Sequence, residues 1–449
     1  MTRSSGLISR RRLLASAAVA AGGVATGGLL SACNAGSSGG SGGKGNLTVM
    51  IGVQDLPKEM IADFEKKNPG IKITLLQHDA TRLNAMLASG NPPDISVAGA
   101  VGSANVNARG LATDLTPYLE KSRVLKKDDL LPVNDSFRWD GSRSGRGAYY
   151  GVVKDWSQDA TLWYNTALFD RAKVPYLSDT QPTSYDDLLA VAKRLTVKSG
   201  GTTKVFGLGL EWAWNLIAPM TMMVLQQGEQ LYNDDLTEVD FTTAAARRAF
   251  GWYVEFARAG VGPTSLNPLP DVSDQSTFSA KRMAITQDGY WFGGNFVEDT
   301  ALRDSIRMAP APVMGDKRIS PCYSGQGLWI PAKSKHKDEA WKFMEYYLAG
   351  EPAETRAKSG WGLPSLKPLL PKLPQTLPYQ KQAYTVAQNE LRYAGALPDS
   401  PYITLDAWNA VIDKSLQRAI KNEQTVDAAC AALTREANKL LKQGKEQVS

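Results

Sequence analysis

Histidine and cysteine are nearly absent. The 449 residues hold two histidines, His78 and His336, and three cysteines, Cys33, Cys322 and Cys430, with no clustering. Zinc, copper, haem and iron–sulfur centres draw their ligands from these residue types, so no metal and no cofactor is expected. A glycine-rich phosphate loop and an internal repeat of fixed period are also missing. Past the first 32 residues no apolar run is long enough to cross a bilayer. The charge surplus is small as well. Of the formal net charge of +6, four charges come from Arg3, Arg10, Arg11 and Arg12, in a segment without any acid. The rest of the chain is therefore close to neutral, which gives no support to a nucleic-acid partner.

What is present begins at the N-terminus. Ser9-Arg10-Arg11-Arg12-Leu13-Leu14 stands ahead of an uncharged, Ala- and Gly-rich run from Leu13 to Ala32. That run is too weakly hydrophobic for an ordinary spanning helix and reads as a signal peptide over residues 1–32. The Ser-Arg-Arg order resembles a twin-arginine export signal. Leu30-Ser31-Ala32-Cys33 resembles a bacterial lipobox, which implies cleavage before Cys33 and a lipid on its sulfur. A transmembrane anchor with an incidental cysteine is the alternative. Residues 33–46 are a Gly/Ser-rich tether. These features predict an extracytoplasmic lipoprotein held to the outer face of the cell membrane. The pair Cys322 and Cys430 suits a disulfide or two buried thiols; Cys430, on the apolar face of a late helix, favours the latter.

About 400 residues follow the signal segment, enough for two or three average domains, and hydrophobic content of 43% with 21% charged residues describes an ordinary soluble globular protein. Leu47–Ile51, Ile71–Leu76 and Asp94–Ala98 read as buried strands. Between them lie a helix striped by Met60, Ile61 and Phe64, and a second from Arg82 to Ser89. This βαβαβ order predicts a parallel sheet in an α/β fold. Further on, Thr183-Ser184 opens a helix. Phe206–Leu210, Met283–Thr286 and Leu328–Pro331 read as strands, followed by a helix with Trp341 and Met344 on its apolar face. A last helix starts near Thr425.

Seven weak motifs then fall in one order. They include Phe64-Glu65-Lys66-Lys67-Asn68-Pro69-Gly70, Ala88-Ser89-Gly90-Asn91-Pro92-Pro93-Asp94, Leu162-Trp163-Tyr164-Asn165, Asp288-Gly289-Tyr290-Trp291 and Lys337-Asp338-Glu339-Ala340-Trp341. Together they resemble family 1 extracellular solute-binding proteins of ABC importers, over nearly all of residues 47–449. The resemblance implies a type II periplasmic-binding-protein-like fold of two α/β lobes, with a hinge and a ligand cleft between them. Lobe 1 is expected over 47–154 plus about 328–370, and lobe 2 over 155–327 plus about 371–449. Chain crossings are expected near Lys154–Trp156 and Gln326–Trp329. It also implies a monomer that captures a sugar, hands it to a membrane permease, and is not an enzyme. A polyamine or other solute on the same fold is the first alternative, and a glycoside-acting exported enzyme the second.

A sugar asks for aromatic platforms against its C–H faces and for polar partners around its edge. On the resemblance, Glu211, Trp212 and Trp214 match an acid and stacking aromatics, as do Asp288, Tyr290 and Trp291. Asp155, Trp156 and Gln326 fall at the crossings. Gln54 and Asp55 follow the first strand and Asp79 the second, while Trp361 and Trp408 complete the candidates. Each has a plainer reading: any of these tryptophans suits the core, and Asp55 suits a helix cap. Trp163, Trp252, Trp329 and Trp341 are assigned to the core. The loop Ala98–Ser103 departs from maltose-type relatives, which carry aromatic and charged residues there, so the resemblance does not imply maltose itself as the ligand.

Overall fold

The computed structural model describes residues 45–448 except 211, 213, 270–272 and 324. The signal segment, Cys33, most of the tether and the candidate Glu211 lie outside the described residues. From the start of the described chain run β1 (Asn46–Ile51), α1 (Lys58–Lys67), β2 (Lys72–Gln77), α2 (Ala80–Ala88), β3 (Ile95–Gly99) and the short α3 (Ser103–Ala108). The two crossover helices allow β1 to pair in parallel with both β2 and β3, as the alternating pattern requires. Phe64, the centre of the α1 stripe, is fully buried. Asp94 locks the entry to β3: one carboxylate oxygen accepts from Thr48 N and the other from Ser334 Oγ.

Next come β4 (Val152–Asp155) and β5 (Leu162–Asn165), consecutive in the chain but in different sheets. The helices α4 (Tyr185–Leu195), α5 (Ile217–Gln226) and α6 (Ala244–Ala259) follow, then β6 (Ile285–Gln287), β7 (Ile306–Ala309) and β8 (Gln326–Trp329). The first sheet has the order β2-β1-β3-β8-β4, with β8 antiparallel to both neighbours, and the second is β6-β5-β7. The rest is helical: α7 (Lys337–Ala349), α8 (Glu351–Ser359), α9 (Pro378–Glu390), α10 (Leu405–Ile420) and α11 (Val426–Val448). Helix α7 packs on the first sheet through Phe343, Met344 and Tyr347, and α8 joins the same core through Ala353 and Ala357. Helices α10 and α11 join α5 and α6 in the core of the second lobe. A third core, with Val153, Trp156, Trp163 and Tyr379, lies where β4 hands over to β5.

One expected strand is irregular. Phe206–Leu210 runs beside β6 only through bridges at Phe206 and Gly209. The intervening N–H groups of Gly207 and Leu208 both turn to Val261 O, which interrupts the ladder. Cys322 and Cys430 are buried in different cores, which agrees with separate thiols. Trp163, Trp252, Trp329 and Trp341 are buried as expected. Among the described residues no helix is long and apolar enough to cross a membrane.

Candidate functional site

The C-terminal ends of β1 and β4 and the start of β8 meet at one edge of the first sheet, where a parallel sheet commonly opens to a ligand. Gln54 and Asp55 follow β1, Asp155 closes β4 and Gln326 opens β8. With Trp156, Trp291 and Trp361 they line an outer cavity of about 270 Å³. Lys154 Nζ ties its floor together, 2.6 Å from Asp155 Oδ2 and 3.5 Å from Asp55 Oδ1. Burial works against the Lys154 ammonium, but Asp155, Tyr347 and Asp55 outweigh it and hold the pKa above the ordinary lysine value. A cation so neutralised leaves a net acidic floor.

The aromatic wall is built from three segments. Trp156 exchanges backbone hydrogen bonds with Leu363, and its indole N–H donates to Pro364 O at 3.0 Å. The segment can lie that close because residue 362 is glycine. Its φ is +111°, and a Cβ there would stand 3.2 Å from Trp156 O. Trp361, 49% exposed, is thereby held 5.6 Å from Trp291 at an interplanar angle of 59°. Trp291 is positioned in turn by its own N–H, which donates to Ser157 Oγ. Gly289 permits that approach, since a Cβ there would fall 2.2 Å from Ser157 Cβ.

Trp291 is also a wall of an inner cavity of about 190 Å³, with Asp159, Trp214, Asn215, Gln287 and Asp288. Trp214 is 41% exposed there. Thr286 Oγ lies 2.6 Å from Asp274 Oδ2 and 2.8 Å from Asp288 Oδ2. Burial raises the Asp274 carboxyl above its ordinary value, and Thr286 links it to the carboxyl of Asp288. Among the described residues no group of three His, Cys, Asp or Glu side chains is arranged to hold a metal ion.

Four sequence candidates go elsewhere. Trp212 is a core residue, 4% exposed, packed on Tyr253 and Phe256 with its indole N–H on Asp413 Oδ1. Trp408 is likewise core, against Tyr232. Tyr290 is buried beside Trp163 and Tyr379, away from both cavities. Asp79 is the N-cap of α2, where its carboxylate accepts from Arg82 N at 2.6 Å. Conversely, Ser157, Asp159, Asn215 and Gln287 were not singled out from the sequence. The first two directly follow the β4 crossing, a signal that was there to use; Asn215 and Gln287 carried none beyond a polar neighbour.

A further cavity of about 320 Å³ lies beside the loop after β3, where the small Ala100 and Val101 face Asp399 and the segment before it. Gly102 N donates to Asp399 Oδ2 at 2.7 Å and Asn105 Nδ2 to Pro401 O at 2.7 Å.

Two lobes with a polar, aromatic cleft at the sheet edges define a solute-binding fold of the periplasmic type. The sequence pattern of the bacterial extracellular solute-binding protein family matches residues 52–353, and the chain belongs to that family. Solved structures agree with the fold. An ABC substrate-binding protein of Listeria monocytogenes in complex with cycloalternan is 23% identical, with a TM-score of 0.71 over 88% of this chain and 98% of that one. A solute-binding protein of Thermotoga lettingae bound with α-D-tagatose is 21% identical, TM-score 0.71, over 88% and 100%. The sugar-binding protein MalE of Xanthomonas citri is 21% identical, TM-score 0.68, over 89% and 98%. The curated proteins contain no match.

Proposed function

We propose that this protein captures a mono- or oligosaccharide between its lobes and delivers it unchanged to the permease of an ABC importer. The observation that carries the reading is the pair of cavities on either side of Trp291: tryptophan faces beside carboxylate and amide side chains, the set a sugar ring calls for. Structural relatives bound to cycloalternan and tagatose support the same class. In this reading lobe 1 comprises residues 47–154 with about 328–370, lobe 2 the remainder, and the paired β4 and β8 carry the hinge. Ligand held by one lobe draws the other over it, and the closed form docks on the membrane partner. The protein acts as a monomer outside the cell membrane, tethered by a lipid on Cys33 after export through the twin-arginine route.

Calorimetry with a panel of sugars, polyamines and phosphate esters tests the capture. A saturable response to one sugar, at an affinity near −8 kcal/mol for a micromolar Kd, with the sugar recovered intact, is the expected result. Binding of polyamines alone keeps the fold and removes the sugar; cleavage of a sugar removes the transport reading. Mass spectrometry of membrane-extracted protein is expected to find a diacylglyceryl group on Cys33, and an unmodified Cys33 would end the anchor proposal.

A further inference from the structure

The lobes also touch apart from the two cavities at Trp291. On the side of lobe 1 the contact is made by the turn from β3 into α3, whose N-cap is Gly102 at φ +99°. A glycine has no side chain to meet the first N–H groups of a helix. Ser103, the next residue, does not stand in for it: its hydroxyl lies 3.0 Å from Ala100 O and 2.6 Å from Ser136 O and donates there. The acceptor comes from lobe 2 instead. Asp399, 297 residues further along the chain, accepts from Gly102 N at 2.7 Å, and Ala104 N donates to the same carboxylate. Beside it Asn105 Nδ2 donates to Pro401 O at 2.7 Å.

Asp399 is presented on a stiff arm. Pro398 and Pro401 fix φ on either side of it. The buried Ser400 ties the arm to lobe 2 through its Oγ, which donates to Leu236 O at 2.6 Å. The lobes therefore share one cap: a turn in lobe 1 whose N-cap has no acceptor, and an acceptor in lobe 2 held against it. Opening the hinge separates the two and leaves the N–H groups of the turn to water. We infer that Asp399 is a positioning residue for capture, a latch that favours the closed arrangement of the lobes without touching the ligand. Neither Asp399 nor Gly102 lines the cavities at Trp291. The apparent affinity of a ligand scales with the population of the form that holds it, so the latch tightens every ligand by one common factor. The inference rests on the lobe assignment and the closure proposed above.

The test uses the purified protein with tagatose, mannobiose and maltose as probes. Asp399→Ala is expected to weaken each probe that binds by the same factor, about fivefold, the worth of one helix cap. Asp399→Asn keeps an acceptor oxygen and is expected to recover most of that loss. Amide hydrogen exchange gives a readout that a merely structural residue would not move: exchange at Gly102 and Ala104 is expected to slow when a probe binds the wild type, and not in Asp399→Ala. If Asp399→Ala is less stable to denaturant yet binds within twofold of wild type, the latch is overturned and the transport reading stands. Exchange at Gly102 and Ala104 that the probe leaves unchanged also overturns it, because the contact then does not open. So does a loss confined to one of several sugars, because Asp399 is then a ligand contact. If no probe binds, the sugar reading falls and the latch is judged alone, by the distance between nitroxide labels at the exposed positions Arg109→Cys and Lys439→Cys. A longer distance in Asp399→Ala than in the otherwise unaltered protein supports the latch, and equal distances overturn it.

Discussion

Two tryptophans that look alike in the sequence do opposite work. Trp212 and Trp291 each follow a short apolar segment and stand beside polar residues, yet one is wrapped by Tyr253 and Phe256 and the other divides two cavities. Trp212→Ala is expected to cost about 3–5 kcal/mol of stability, the range for an emptied aromatic site. It also removes one donor from Asp413, whose carboxylate keeps those of Ser265 and Gln417. Trp291→Ala is expected to cost about 2 kcal/mol or more of ligand binding, as anchors do, with a smaller loss of stability. Chemical denaturation beside calorimetry on the same two variants separates them. If Trp291→Ala binds the ligand with wild-type affinity, Trp291 is not part of the site.

At the scale of the element, Asp79 shows how a site candidate becomes a structural residue. It follows a parallel strand at the edge where ligands bind, but the next element is a helix that needs an acceptor for its first N–H groups. Asp79→Ala is therefore expected to cost about 1 kcal/mol of stability and leave ligand affinity within twofold; a large loss of affinity would return it to the cleft. The same contrast explains what the sequence made legible. The opening β1-α1-β2-α2-β3 unit could be read because each step is local: an apolar strand, a striped helix, a Gly or Pro stop. The insertion of β8 between β3 and β4 could be foreseen only through family resemblance, since its partners lie more than 150 residues away in the chain. Strand ends gave Gln54, Asp55, Asp155 and Gln326 their common cavity. Asn215 carries no such signal, since its place at the inner cavity follows from the fold and from its hydrogen bond with Ala218 N at the start of α5.

At the scale of the whole molecule, the loop after β3 and the segment before α10 meet from opposite parts of the chain at Asp399. Burial pushes the Asp399 carboxyl up from 3.8 to about 6, although the N–H groups of Gly102 and Ala104 pull the other way. Tyr232 lies near it, and Arg143, Asp234 and Cys322 line the same cavity. The folded protein thus holds this proton more tightly than the unfolded chain does. Its contribution to stability is fully present below about pH 3.8 and is lost as the pH rises through about 6. The whole effect is at most about 3 kcal/mol. Carboxylates such as Glu65, lowered chiefly by its hydrogen bond from Lys72, act in the opposite sense, so the total profile hides the term. The difference between wild type and Asp399→Asn isolates it. Stability of the wild type relative to that variant, measured by denaturant titration from pH 4 to 7, is expected to fall as the pH rises and to level off above about 6. A difference that stays flat would mean that Asp399 is ionised throughout, with Gly102 N and its neighbours stabilising the carboxylate. In that event the contact between the β3 loop and the C-terminal segment is an ordinary charged hydrogen bond, indifferent to pH above 4.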